Sequence, residues 1–274
     1  MIDQSGKTAW VTGASSGIGE ALVKAFVGAG GAAILSGRNV AELERAASET
    51  GAADRCHLLP FDTVDFDILA DIVRQAIAVR GGVDILVNNA GISQRSLAVD
   101  TDFSVYDRII EVDLLAPIAL TQAILPHLLE RGSGQLVMIS SVAGKAGVPL
   151  RTAYCAAKHG LIGYSDALRS EVAGQGVGVL VVAPGSVRTN VSRNALSADG
   201  STRGVSDAAI DNGIDPGEVA RIIWEAVADG KREIVIAEGM EANIPLLRAQ
   251  DPEKLFDMVE AMVANGYAQK MGAE

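Results

Sequence analysis

Apolar and polar positions along the chain fall into two alternating textures. Short runs such as TAWVTG (8–13), AAILSG (32–37), HLLPF (57–61), DILVNN (84–89), QLVMIS (135–140), GVLVVAP (178–184) and EIVIA (233–237) are apolar on both alternating faces. That is the pattern of parallel strands covered by helices on either side. Longer stretches of helical period lie between them, at 17–29, 39–49, 65–79, 102–131, 152–173 and 216–229. The alternation predicts an α/β chain: one doubly wound, Rossmann-type domain over residues 1–240, with a seven-stranded parallel sheet and helices on both faces.

Two stretches stand apart from this rhythm. Residues 190–215 are rich in Ser, Gly, Asn and Asp; so long a loop in a compact domain reads as a substrate lid or a disordered segment. Residues 241–274 form a tail with one expected helix after Asp251-Pro252, available for substrate or subunit contacts. The helical pattern at 102–131 is apolar on more than one face. It lies either deep under the sheet's cover or with its outer face against a second subunit.

Within that pattern, RIIEVDLLAPIAL (108–120) contains an anomaly. At helical spacings of three and four, Asp113 is surrounded by Ile109, Ile110, Ala116 and Pro117. Glu111 instead has Asp107 and Arg108 as neighbours and reads as part of a solvated face. A carboxylate on an apolar face is costly unless something satisfies it. Pro117 is expected to kink the helix.

Composition narrows the function classes. With 49% apolar and 21% charged residues the chain fits a globular protein with a sizeable core. No uninterrupted apolar run approaches the roughly 18 residues of a membrane span, and the N-terminus lacks the pattern of a signal peptide. A net charge of −11 disfavours nucleic acid and anionic membrane as partners. Cys56 and Cys155 have no metal-ligand spacing and make no disulfide framework. A cytoplasmic location with no metal is expected.

Candidate chemistry clusters where strands end. The first strand runs into TGASSGIG, with Gly13, Gly17 and Gly19 leading into a helix. Glycine admits positive φ and close approach of a phosphate, and a helix N-terminus offers free N–H groups to an anion. The turn is either a pyrophosphate site or a plain tight turn, and its place between first strand and first helix favours the site. No Gly-Lys-Ser/Thr follows, so it is not a P-loop. After the second strand, where NAD sites carry Asp or Glu, stands SGRN with Arg38. A guanidinium there suits a 2′-phosphate and hence NADP(H); the alternative is a surface arginine. YCAAK places Tyr154 and Lys158 four apart, one above the other on a helix. A free phenol titrates near 10, and a neighbouring ammonium favours the phenolate, so such a pair can exchange a proton with a substrate oxygen. ISS (139–141), NNAG (88–91) and APGSVRT (183–189) all close strands, on the side where an open α/β sheet binds ligands.

In order and spacing these motifs resemble the short-chain dehydrogenase/reductase superfamily, in its single-domain branch, from residue 5 to about 240. RTAYCAAKHGLIGYSDALRSE and TNVSRNALSADGS are most similar to carbonyl reductases related to dehydrogenase/reductase member 7 and to the 11β-hydroxysteroid dehydrogenases. The resemblance implies that Tyr154 is the catalytic acid/base, that Lys158 binds the nicotinamide ribose and assists it, and that Ser141 orients the substrate oxygen. It implies further that Gly13, Ser15, Ser16, Gly17, Ile18 and Gly19 hold the pyrophosphate. Asp62 and Thr63 would meet the adenine, with Asn89, Ala90 and Gly91 lining the adenosine side. Pro184, Gly185, Val187 and Thr189 would face the nicotinamide. Asp113 stands where the family usually carries Asn, which helps hold a water linking the lysine to solvent. Either Asp113 substitutes for it, facing Lys158 and that water, or it turns outward and the relay is impaired.

The expected function is an NADP(H)-dependent oxidoreductase interconverting a secondary alcohol or an aldehyde or ketone, with an uncharged, hydrophobic substrate under the 190–215 segment. The alternatives are an NAD-dependent dehydrogenase and a non-catalytic dinucleotide sensor or scaffold. Family members are commonly dimers or tetramers, so a homo-oligomer is expected. Cys155 reads as a small buried filler, and His159 points away from Lys158 towards packing or solvent.

Overall fold

The computed structural model describes residues 3–270. Seven parallel strands form one sheet: β1 (Thr8–Thr12), β2 (Ala32–Ser36), β3 (Cys56–Leu58), β4 (Ile85–Asn88), β5 (Gly134–Ile139), β6 (Val177–Pro184) and β7 (Glu233–Ile236). Their spatial order is β3-β2-β1-β4-β5-β6-β7. Strand order therefore reverses between β1 and β4, which opens a crevice at their carboxyl ends. Every residue of β1, β2 and β4 is buried, while the edge strands β3 and β7 are partly open. This accounts for strand runs that are apolar on both faces.

On one side of the sheet pack α1 (Gly17–Gly28), α2 (Val40–Ser48) and α8 (Pro216–Ala228). There Phe26 and Trp224 meet with ring centroids 4.8 Å apart, over Leu22, Val23 and Ile223. The other side is covered by α3 (Leu69–Ala78), α5 (Ala116–Glu130) and α6 (Thr152–Glu171), with Trp10, Leu86, Leu120, Ile124 and Leu161 between the layers. Trp10 carries a polar edge into this core, and its Nε1 donates to Ser36 Oγ at 2.9 Å.

The stretch with the anomalous aspartate is one continuous rod with an irregular middle. Helix α4 (Phe103–Ile110) runs into a π-turn (Glu111–Leu115) and then into α5. The Ala116 N–H reaches back five residues to the Glu111 carbonyl. Pro117 has no N–H to give the Asp113 carbonyl, and its ring would press on that carbonyl in a regular helix; a widened turn relieves both. The mark Pro117 leaves is thus a π-turn just before it. By length and composition the rod Phe103–Glu130 could cross a membrane, but 44% of its apolar window is buried inside the fold. The buried part of that window packs against the sheet and α6, and the remainder is not buried.

The sequence expects one helix in the tail. Among the described residues there are three: α9 (Gly239–Gln250), α10 (Pro252–Ala264) and α11 (Tyr267–Lys270). Helix α9 is hidden in the sequence because Pro245 lies inside it and none of its residues is fully buried, so no apolar period stands out. The 190–215 segment contains only turns, isolated bridges and the one-turn helix α7 (Ala208–Asp211).

Candidate active site

Geometry at the end of β1 follows from its glycines. Gly13 and Gly17 have φ of +64° and +57°, in the left-handed region. A Cβ on Gly19 would lie 2.2 Å from the Gly13 carbonyl oxygen, so only glycine lets α1 pack this tightly against the turn. Ser16, at the N-cap of α1, makes no side-chain capping bond, leaving the first N–H groups of the helix to face an anion.

This turn borders a cleft of about 620 Å³, within the usual size of a ligand site. All the residues expected at the site line that cleft except Gly19, which lies behind the turn and supports it. Arg38, with its side chain 69% exposed, stands beside Ser15 and Asn39, and its guanidinium is 4.0 Å from Asp62. Arg108 on α4 approaches the same carboxylate at 3.6 Å and lines the cleft. In sequence Arg108 is only a helical neighbour of Glu111; its contact with Asp62 is remote in the chain and carries no local signal. Asn89 does more than line the cleft, since its Nδ2 donates to the Thr12 carbonyl at 2.9 Å and ties β4 to β1. Free N–H groups at a helix start, a glycine turn with no room for a Cβ and nearby guanidinium groups together fit a dinucleotide.

At the other end of the cleft stand Ser141, Tyr154, Lys158 and Asp113. Ser141 begins a tight turn after β5; its Oγ accepts from the Ala143 N–H at 3.1 Å and donates to the Pro184 carbonyl at 3.3 Å. Tyr154 and Lys158 share one face of α6, with the ammonium 5.5 Å from the ring centre. Gln94 fixes the start of that helix, its Oε1 accepting from the Ala153 N–H at 2.8 Å.

Asp113 points inward. It is fully buried, its Oδ1 accepts from the Ile92 N–H at 2.8 Å, and its Oδ2 lies 3.1 Å from Lys158 Nζ without any aligned hydrogen bond. Asp113 thus does not turn outward: from the π-turn its carboxylate faces Lys158 beyond the ends of β4 and β5. Lys158 also donates to the Ile139 carbonyl at 3.0 Å. Burial opposes both charges and pushes the Asp113 carboxyl above its ordinary range. On Lys158 the same burial is outweighed by Asp113 and Tyr154 together, and its ammonium persists beyond the usual lysine range. Gly91 gives the pair room, because a Cβ there would sit 3.1 Å from Asp113 Oδ2 and 3.4 Å from Lys158 Nζ.

The 190–215 segment lines the cleft through Val191, Asn194, Leu196, Thr202 and Ile210, together with Ile92. It is tied to the body by backbone bonds between Leu196 and both Ser93 and Arg95, at 2.8 and 2.9 Å. Behind it the buried Asp207 carboxylate gathers three guanidinium groups: Arg95 at 2.6 Å, Arg151 at 3.4 Å, and Arg203. Among the described residues no cluster has the makings of a metal site.

Residues 7–200 match the family described as short chain dehydrogenase. Dehydrogenase/reductase SDR family member 7B of Danio rerio is 41% identical over 239 residues, covering 84% of this chain and 77% of its own length. Among solved structures, a short-chain dehydrogenase from Streptomyces avermitilis superposes with a TM-score of 0.80 at 29% identity, over 94% of this chain and 99% of that one. A short-chain dehydrogenase/reductase from Burkholderia phymatum in complex with NAD shares the fold with a TM-score of 0.81 at 22% identity, over 93% and 97% of the two chains.

Proposed function

Because the chain belongs to the short-chain dehydrogenase family, we propose that it is an NADP(H)-dependent oxidoreductase interconverting a secondary alcohol, or an aldehyde or ketone, at the Tyr154 end of the cleft. The observation that carries this reading is that Ser141, Tyr154 and Lys158 face one cleft with the glycine turn. When bound, the nicotinamide supplies or accepts the hydride. Tyr154 exchanges the proton at the substrate oxygen. Ser141 holds that oxygen: the Ala143 N–H occupies a lone pair of Oγ and leaves the hydroxyl proton free to turn from Pro184 to substrate. Lys158, anchored on Ile139 and Asp113, keeps a positive charge next to the phenol. The glycine turn and the start of α1 would hold the pyrophosphate. Ile92, Val191, Leu196 and Ile210 favour an uncharged, hydrophobic substrate.

Preference for NADP(H) rests on Arg38, exposed beside Ser15 and Asn39 at the end of β2, where an NAD site has a carboxylate. The rival is NAD, the ligand of the Burkholderia phymatum neighbour. Arg38→Ala should weaken NADPH at least tenfold more than NADH, since a charge-assisted contact is lost for one cofactor only. Equal losses in a fluorescence titration would overturn the assignment. A cytoplasmic homodimer or homotetramer is the setting this reading assumes, with Leu115 contributing apolar surface on the outer side of the rod.

Tyr154→Phe separates an enzyme from a pure dinucleotide binder. Turnover of a panel of carbonyls and alcohols, followed at the nicotinamide absorbance band, should vanish while NADPH affinity stays within about threefold, because only the transition-state contact is removed. Undiminished turnover would sink the mechanism.

A further inference from the structure

The tail reaches the rim of the cofactor cleft through Glu241. Glu241, in the first turn of α9, accepts two hydrogen bonds from Ser186: the backbone N–H at 2.6 Å to Oε2 and the hydroxyl at 2.8 Å to Oε1. Ser186 lies in the turn that follows β6, between Pro184 and Gly185 on one side and Val187 and Thr189 on the other, all four lining the cleft. The seat is tight. A Cβ on Gly185 would fall 2.3 Å from Glu241 Oε2 and 2.9 Å from Ala237 Cβ. The carbonyl of Ser186 is used as well, accepting from the Ile214 N–H at 3.0 Å. Every polar group of Ser186 is thus committed, and both of its donors go to the tail. Helix α9 also packs against the turn at 142–144 that Ser141 opens. A charged acceptor taking two donors is among the stronger contacts available to a half-buried turn.

We propose that Glu241 is a positioning residue for the nicotinamide half of the cofactor: by gripping Ser186 from the tail it fixes the 184–189 turn against which that half lies. The inference rests on the cofactor reading above and extends it to a helix outside the family match at 7–200. Its rival is that Glu241 only docks α9 onto the body.

The two are separated by comparing ligands that differ in the nicotinamide half. Full-length wild type, Glu241→Ala and Ser186→Ala are titrated with NADPH and with adenosine 2′,5′-bisphosphate, or with NADH and ADP if wild type prefers NADH. Glu241→Ala should raise the Kd for the dinucleotide on the order of tenfold, equivalent to about 1.4 kcal/mol, and leave the adenosine ligand within about twofold. Ser186→Ala keeps the backbone donor and should shift the dinucleotide roughly threefold in the same direction, the loss of one hydrogen bond of two; it serves if Glu241→Ala fails to fold. Glu241→Gln, which retains an acceptor for the Ser186 N–H, should recover most of the affinity. A lower melting temperature with both Kd values unchanged, or with both raised equally, would show mere docking and overturn the proposal. Wild type that binds neither dinucleotide overturns the cofactor reading, and the brace with it.

Discussion

Lys158 divides its ammonium between two partners, the Ile139 carbonyl and the Asp113 carboxylate, and only the second carries a charge. The anion 3.1 Å from Nζ is the main support that the ammonium has against its own burial. Asp113→Asn removes the anion and keeps the shape, so Lys158 should lose its proton more readily. The basic limb of the pH–rate profile for alcohol oxidation should then move to lower pH. A superimposable profile would mean that Asp113 has no influence on proton transfer. At this scale the readable residues are those whose partners are near in sequence or whose conformation is special. Tyr154 and Lys158 share a helical face, and Gly13 and Gly17 sit at positive φ. The apolar neighbours of Asp113 signalled that it needs a partner; the partner itself, on another helix, was supplied by resemblance. Glu241 and Arg108 were missed because their contacts, Ser186 and Asp62, lie far along the chain.

The 190–215 segment shows what composition leaves out about an element. Its Ser, Gly, Asn and Asp content reads as a substrate lid or a disordered segment and gives no sign of burial. Yet Ser192 is fully buried, with its Oγ accepting from the Asp207 N–H at 3.0 Å, and Asp207 itself is buried among three arginines. These charges look solvent-facing in sequence because their opposite numbers, Arg95 and Arg151, sit on other elements. Burial would raise the Asp207 carboxyl, but Arg95 and Arg203 outweigh it and hold it below the usual carboxylate range. In the unfolded chain an Asp titrates near 3.9. The contribution to stability is therefore complete above about pH 4 and is lost as pH falls through the lower native value. Asp207→Asn should cost about 3–5 kcal/mol at neutral pH by leaving guanidinium groups buried and unpaired. It should also flatten the loss of stability below about pH 4. Urea midpoints measured across pH check both, and a neutral-pH cost under about 1 kcal/mol would place the cluster among ordinary surface pairs.

At the scale of the whole molecule the fold was legible because a doubly wound sheet writes itself twice, in strands apolar on both faces and in helices of regular period between them. All seven predicted strands are present and the reversal of order at β1 and β4 sets the cleft. What periodicity could not convey was irregularity: a turn wound one residue too loosely, and a tail helix that runs on with Pro245 inside it. That loose turn bears on how such a chain changes length. An extra residue inserted into a helix usually rotates everything beyond it, whereas a π-turn absorbs the insertion within itself and lets both flanks keep their packing. The architecture would accept the residue's deletion, but Pro117 resists it, because a regular helix would drive its ring into the carbonyl four places back. A residue with no functional group thereby keeps a charge at the bottom of the cleft. Replacing Pro117 would remove that resistance and leave the π-turn, and the inward carboxylate it carries, without its constraint.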